Sequence, residues 1–150
     1  MKRRQAIGVL SAGLVTLAVE PIFALATEEE VEQAIRRKFG DKPIRAANVS
    51  LKLPKLAESG NSVPLSVTIQ PPTPLRVLAA SIFASRNPRP LIATIMFGPR
   101  AGKANFTTNI RLNGTQQVIA IAELSDGSLC RTQSEVLVTV GACDALQARY

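Results

Sequence analysis

The chain predicts an all-β fold, an immunoglobulin-like sandwich of about seven strands, with a short N-terminal amphipathic helix in front and a flexible C-terminal tail behind. Three observations carry that expectation. After Pro43, short runs alternate apolar and polar residues, the period of half-buried strands. Clusters of Gly, Pro, Asn and Asp punctuate these runs at short intervals. Helical periodicity is confined to one segment, near residue 30.

The first 26 residues read as an export signal. Met1-Lys2-Arg3-Arg4 is a charged start, Ala6 to Val19 is a mildly apolar stretch with two glycines, and Ala24-Leu25-Ala26 is a small-x-small cleavage site. The apolar run is too short and weak for stable membrane insertion, and Glu20 and Pro21 interrupt it. The Arg3-Arg4 pair points to the bacterial twin-arginine route. Ala6 and Ile7 stand where a strong motif has Phe and Leu, so the general secretory route is the alternative. Either route leads to the periplasm, where disulfides are permitted.

Residues 27–40 form the expected helix. Thr27 followed by Glu28-Glu29-Glu30 has capping-box spacing, with acids in the first turn. Val31, Ala34, Ile35 and Phe39 share one face, Arg36, Arg37 and Lys38 occupy the last turn, and Gly40 offers a stop. Such a helix packs on its own domain or on a partner, with self-packing favoured.

Residues 41–140 form the sandwich. Val63, Leu65, Val67 and Ile69 alternate with polar positions, as do Phe106, Thr108, Ile110 and Leu112. Val77–Ala84, Leu91–Phe97 and Gln117–Leu124 are apolar on both faces, so a second cover is needed, from the helix or another subunit. The helix Val31–Phe39 and these strands are the expected partner contacts. Turns are expected at Ser59-Gly60-Asn61, Pro71 to Pro74, Asn87 to Pro90, Gly98-Pro99, Asn113-Gly114 and Asp126-Gly127. Asn113-Gly114 reads as a tight hairpin. Three glycosylation sequons, at Asn48, Asn105 and Asn113, are chance matches behind a bacterial signal.

Composition excludes several function classes. The chain has no histidine, which removes Ser-His and Cys-His catalysis and histidine metal sites. Two cysteines are too few for a Cys-rich zinc site, and no dinucleotide or P-loop fingerprint occurs. No metal, no cofactor and no self-contained enzyme are expected. The net charge of +7 is spread over single residues such as Lys52, Arg76, Arg86, Arg100 and Arg111. Without a basic stripe interleaved with aromatics, nucleic acid is not an expected partner.

The tail, residues 141–150, holds the most pointed feature. The run Val136 to Val140 leads into Gly141-Ala142-Cys143. A thiol on a tip beyond the last strand is placed to reach outward, whereas structural cysteines usually sit inside the strands. Cys130 is the other cysteine and a disulfide partner for Cys143. It is expected in a segment antiparallel to the last strand, and a turn near Arg131–Gln133 would let the two cysteines lie apart. Both readings stand at this point: a bridge, or a free thiol that carries something covalently.

Six segments together resemble one family. They are Leu53 to Pro64 (LPKLAESGNSVP), Phe83 to Pro88 (FASRNP), Phe97 to Gly102 (FGPRAG), Ile110-Arg111-Leu112, Ala122 to Gly127 (AELSDG) and Val138 to Cys143 (VTVGAC). Their order and spacing resemble the SoxY family, covalent sulfur carriers of bacterial thiosulfate oxidation. The resemblance implies an immunoglobulin-like sandwich paired with SoxZ as a heterodimer. It implies covalent sulfur attachment at Cys143, on an arm formed by Gly141 and Ala142. It also implies docking to three enzymes: SoxAX, a haem enzyme that joins thiosulfate to the thiol; SoxB, which hydrolyses off sulfate; and SoxCD, which oxidises the remaining sulfur. The carrier itself is non-catalytic. The family pattern Gly-Gly-Cys-Gly-Gly is altered here: Ala142 replaces a glycine, and Asp144 to Tyr150 replace the terminal pair. A carboxylate beside a thiol disfavours the thiolate. The alternative is a structural or regulatory SoxY-like interaction module whose cysteines are bridged or idle.

Overall fold

The structure, a computed structural model, describes residues 28–142. Its elements are α1 (Glu28–Phe39), β1 (Ile44–Arg45), β2 (Val49–Lys52), β3 (Leu56–Ser59), β4 (Val63–Ile69), β5 (Val77–Ala84), β6 (Leu91–Met96), β7 (Ala104–Ile110), β8 (Gln116–Leu124) and β9 (Leu129–Val140). The smaller sheet runs β2-β4-β7, and the larger runs β1-β9-β8-β5-β6, with β3 also paired to β9. Most pairs are antiparallel, but β1 and β3 both run parallel to β9.

The core between the sheets follows from strand alternation. On β4, Val63, Leu65, Val67 and Ile69 point inward and are buried, as the period of two requires. They meet Ala80, Ile82 and Ala84 of β5, Val118, Ala120 and Ala122 of β8, and Val136 and Val138 of β9.

The second face of the larger sheet is covered by α1. Val31, Ile35 and Phe39 pack on Phe83, Ile119, Ile121 and Leu129. The Phe39 and Phe83 rings meet at a tilt of 59°, with centroids 6.4 Å apart. Burial of three such side chains is worth roughly 1.5–3 kcal/mol each. Arg131 on β9 adds an ion pair with Glu32 at 2.7 Å. The helix stops where Gly40, at φ 71°, donates its N–H to the Arg36 carbonyl at 2.7 Å. Thr27, its expected cap, lies outside the described residues. The chain's own helix thus covers β5 and β8, the self-packing favoured from sequence, and its apolar face is taken up by that contact rather than left for the partner contact also expected there. On β6, the edge strand, Leu91 and Met96 remain exposed.

Two local expectations are corrected. Asn113-Gly114 does not close a hairpin. It carries the chain from β7 in the smaller sheet to β8 in the larger one. Gly114 does adopt the positive φ that the motif favours, at 89°, but the flanking strands have other neighbours. Nor does a turn separate Cys130 from the last strand. Leu129 to Val140 form one strand, with Cys130 opposite Ala122 and Val136 opposite Gln116 on β8. The polar run Arg131 to Ser134 contains no breaker, and its backbone is held by that ladder.

Candidate functional site: the root of the cysteine tail

Three separate segments meet where β9 ends. The β3–β4 turn brings Gly60, the β7–β8 crossing brings Leu112, and the chain beyond β9 brings Gly141 and Ala142. The Gly60 N–H donates to the Val140 carbonyl at 2.8 Å, and the Leu112 N–H donates to the Gly60 carbonyl at 2.8 Å. The Ala142 N–H donates to the Leu112 carbonyl at 3.1 Å. Gly60, Leu112 and Gly141 are buried, which strengthens these bonds relative to solvated ones.

Gly60 is required by space. A Cβ on it would lie 2.0 Å from the Leu112 carbonyl oxygen and 3.0 Å from the Ala142 nitrogen. Only a residue without a side chain lets the three backbones approach this closely.

Side chains extend the clamp along β9. Pairing with β8 ends at Gln116 and Val136. Beyond it, the Thr115 hydroxyl accepts the Val138 N–H at 2.9 Å and donates to the Val138 carbonyl at 3.4 Å. On the other side β3 pairs with Leu137, Val138 and Val140, and the Leu137 N–H donates to the Lys55 carbonyl at 3.0 Å.

Asn87 fixes the crossing that supplies Leu112. Its amide donates to the Arg111 carbonyl at 2.8 Å, and its carbonyl oxygen accepts from the Asn113 N–H and the Gln116 amide, each at 2.9 Å. Gln116, buried, accepts the Arg86 N–H at 2.7 Å. A line of hydrogen bonds thus connects the β5–β6 turn to the last described residue of the chain.

The sequence-derived site residues fall as follows. Gly141 and Ala142, the expected arm, lie at the end of the sandwich, Gly141 buried and the Ala142 N–H held by the Leu112 carbonyl. Cys143 lies outside the described residues. Cys130 is free and buried in the core between the sheets, 3% exposed. Gly60, Leu112, Thr115 and Asn87 were not singled out from sequence as site residues. The signals that could have found them are the Ser59-Gly60-Asn61 turn and the Asn87-Pro88 pair.

Among the described residues, no three His, Cys, Asp or Glu side chains converge to hold a metal. One carboxyl, Asp126, is held below its ordinary value. The Ser128 hydroxyl and N–H donate to it, at 2.6 and 2.9 Å, in the β8–β9 turn. A cavity of about 580 Å³ is lined by Ile69, Leu75, Val77, Phe97 and Lys103 among others. It lies at the opposite end of β4 from Val63 and Gly60, so it is no part of the tail root.

Comparison with known proteins agrees with this geometry. The family model described as "Sulfur oxidation protein SoxY" matches residues 35–143. The sulfur carrier protein SoxY from Chlorobium limicola f thiosulfatophilum is 29% identical, with a TM-score of 0.63 over 74% of this chain and 97% of that one. Superoxide reductase (neelaredoxin) from Ignicoccus hospitalis is 14% identical, with a TM-score of 0.54 over 76% of this chain and 94% of that one. Superoxide reductase from Nanoarchaeum equitans is 13% identical, with a TM-score of 0.51 over 63% of this chain and 100% of that one. Those two likenesses are of fold alone. No curated protein matches the chain. The match over residues 35–143 together with the shared sandwich assigns the chain to the SoxY family of sulfur oxidation proteins.

Proposed function

We propose that this chain is a periplasmic sulfur carrier that holds thiosulfate-derived sulfur covalently on Cys143. One observation carries the reading: the family match extends to residue 143 and ends on that cysteine. Ala142, the residue before it in the chain, is held at the end of the sandwich by the Leu112 carbonyl.

The chemistry asks little of the carrier. Cys143 thiolate and the outer sulfur of thiosulfate form a disulfide bond with loss of two electrons, which a SoxAX-like haem enzyme removes. Water then cleaves the bond between the two thiosulfate-derived sulfurs in a SoxB-like enzyme, releasing sulfate and two protons and leaving a persulfide on Cys143. A SoxCD-like enzyme oxidises that sulfur. A tether keeps each intermediate at high local concentration between enzymes. A SoxZ-like subunit completes the heterodimer. The absence of histidine from the whole chain suits a non-catalytic carrier.

The competing module with a Cys130–Cys143 bridge is disfavoured by distance. Cys130 and Val140 are ten residues apart on one strand, about 33 Å at strand rise. Three further residues reach at most about 11 Å, and a disulfide needs Cα atoms within about 7 Å. Replacement of Cys143 by serine in cells lacking other copies tests the proposal. Thiosulfate oxidation should stop, and its survival would sink the carrier reading.

A further inference from the structure

We infer that Gly60 is a positioning residue for Cys143: it docks the root of the tail through the Leu112 carbonyl and so sets how far the thiol reaches. The functional consequence rests on the carrier reading; the docking does not. Gly60 accepts from Leu112, donates to Val140, and leaves the space in which Ala142 meets the Leu112 carbonyl at 3.1 Å. While that bond holds, the chain is anchored up to Ala142, one residue and about 3.8 Å of Cα spacing before Cys143. A receiving enzyme must then come up against the end of the sandwich, where the turns at Gly60 and Asn113 lie. Release of Ala142 and Gly141 adds two residues to the free chain, about 7 Å of extra reach. Docked and released roots are therefore two arm lengths, separated by the Ala142–Leu112 hydrogen bond and the fit around Gly60.

A side chain at residue 60 would push the Leu112 carbonyl away and favour the long arm. Ala142→Pro reaches the same state by a different route, since proline has no N–H to donate. The test uses the purified chain without any sulfur substrate. Rates of Cys143 alkylation are measured with a small maleimide and with the same maleimide on a bulky polymer. Buried Cys130 serves as the internal control. The bulky-to-small rate ratio should rise about fivefold in both variants, the loss expected for one hydrogen bond, with Cys130 still unreactive. In the wild type, the Ala142 amide should be protected from hydrogen exchange. An unchanged ratio with Cys130 protected, an unprotected Ala142 amide in the wild type, or Cys130 reacting in step with Cys143, as general loosening would produce, overturns the inference. Should Gly60→Ala fail to fold, Ala142→Pro decides alone. Loss of sulfur carriage with the docking intact would count against the carrier reading only.

Discussion

Cys130 and Val140 stand at opposite ends of one uninterrupted strand, the first buried in the core opposite Ala122 and the second hydrogen-bonded to Gly60 at the foot of the tail. Its burial gives Cys130 a packing duty. Cys130 is a small apolar filler. Cys130→Ala should cost about 1 kcal/mol or somewhat more, as a small core truncation does. Cys130→Ser should cost more, about 1–3 kcal/mol, because it buries a hydroxyl. Neither should affect sulfur loading of the folded protein. Urea unfolding of both variants checks the order, and loss of loading in folded Cys130→Ala would tie this residue to carriage.

The helix is a second lever on stability. Ile35→Ala removes the centre of the α1 contact with Phe83, Ile119 and Ile121, and should cost about 2–5 kcal/mol. That is a large part of the total stability of a small domain, about 5–15 kcal/mol. Thermal unfolding measures it. A change below about 1 kcal/mol would mean that the helix contributes little cover to the sheet.

Much of this fold was legible in the residues, for local reasons. The face Val31, Ala34, Ile35, Phe39 and the alternation on β4 are properties of short windows, and the structure uses both as read. Asn113-Gly114 was misread because a turn motif specifies backbone angles, not which strands pair. The full length of β9 is hidden in the sequence by the polar run Arg131 to Ser134, since a strand with one wet side needs only backbone partners. The clamp around Gly60 was out of reach altogether. It exists only where residues near 60, 112 and 142 converge, and no window of sequence contains all three.

The Asn87–Gln116 pair should matter to the far end of β9 as well as to its own turn. Gln116→Ala leaves the Arg86 N–H without its partner and removes one donor from Asn87, a loss of about 1–3 kcal/mol. Hydrogen exchange should quicken at Leu112 and Ala142 beyond the change at Ile35. Equal quickening everywhere would show a purely global effect.

The β8–β9 turn predicts a mild acid sensitivity. Asp126 is held below its ordinary value of 3.8 by the Ser128 hydroxyl and N–H, so its ionised form is favoured in the folded chain. The stabilisation is present above that ordinary value and fades as pH falls through the lower folded one. Asp126→Asn should remove this dependence while leaving the rest of the acid limb intact, and the group's full exposure keeps the effect small. Unfolding followed from pH 6 down to pH 2 compares the two chains; identical curves would remove Asp126 from the account.

The most direct test of the carrier reading is the intact mass of the chain taken from cells oxidising thiosulfate, before and after reduction. Reducible sulfur-containing adducts mapped to Cys143 are the expected result. A bare chain lighter by two hydrogens, with Cys130 joined to Cys143, would contradict both the carrier role and the single strand that separates those residues.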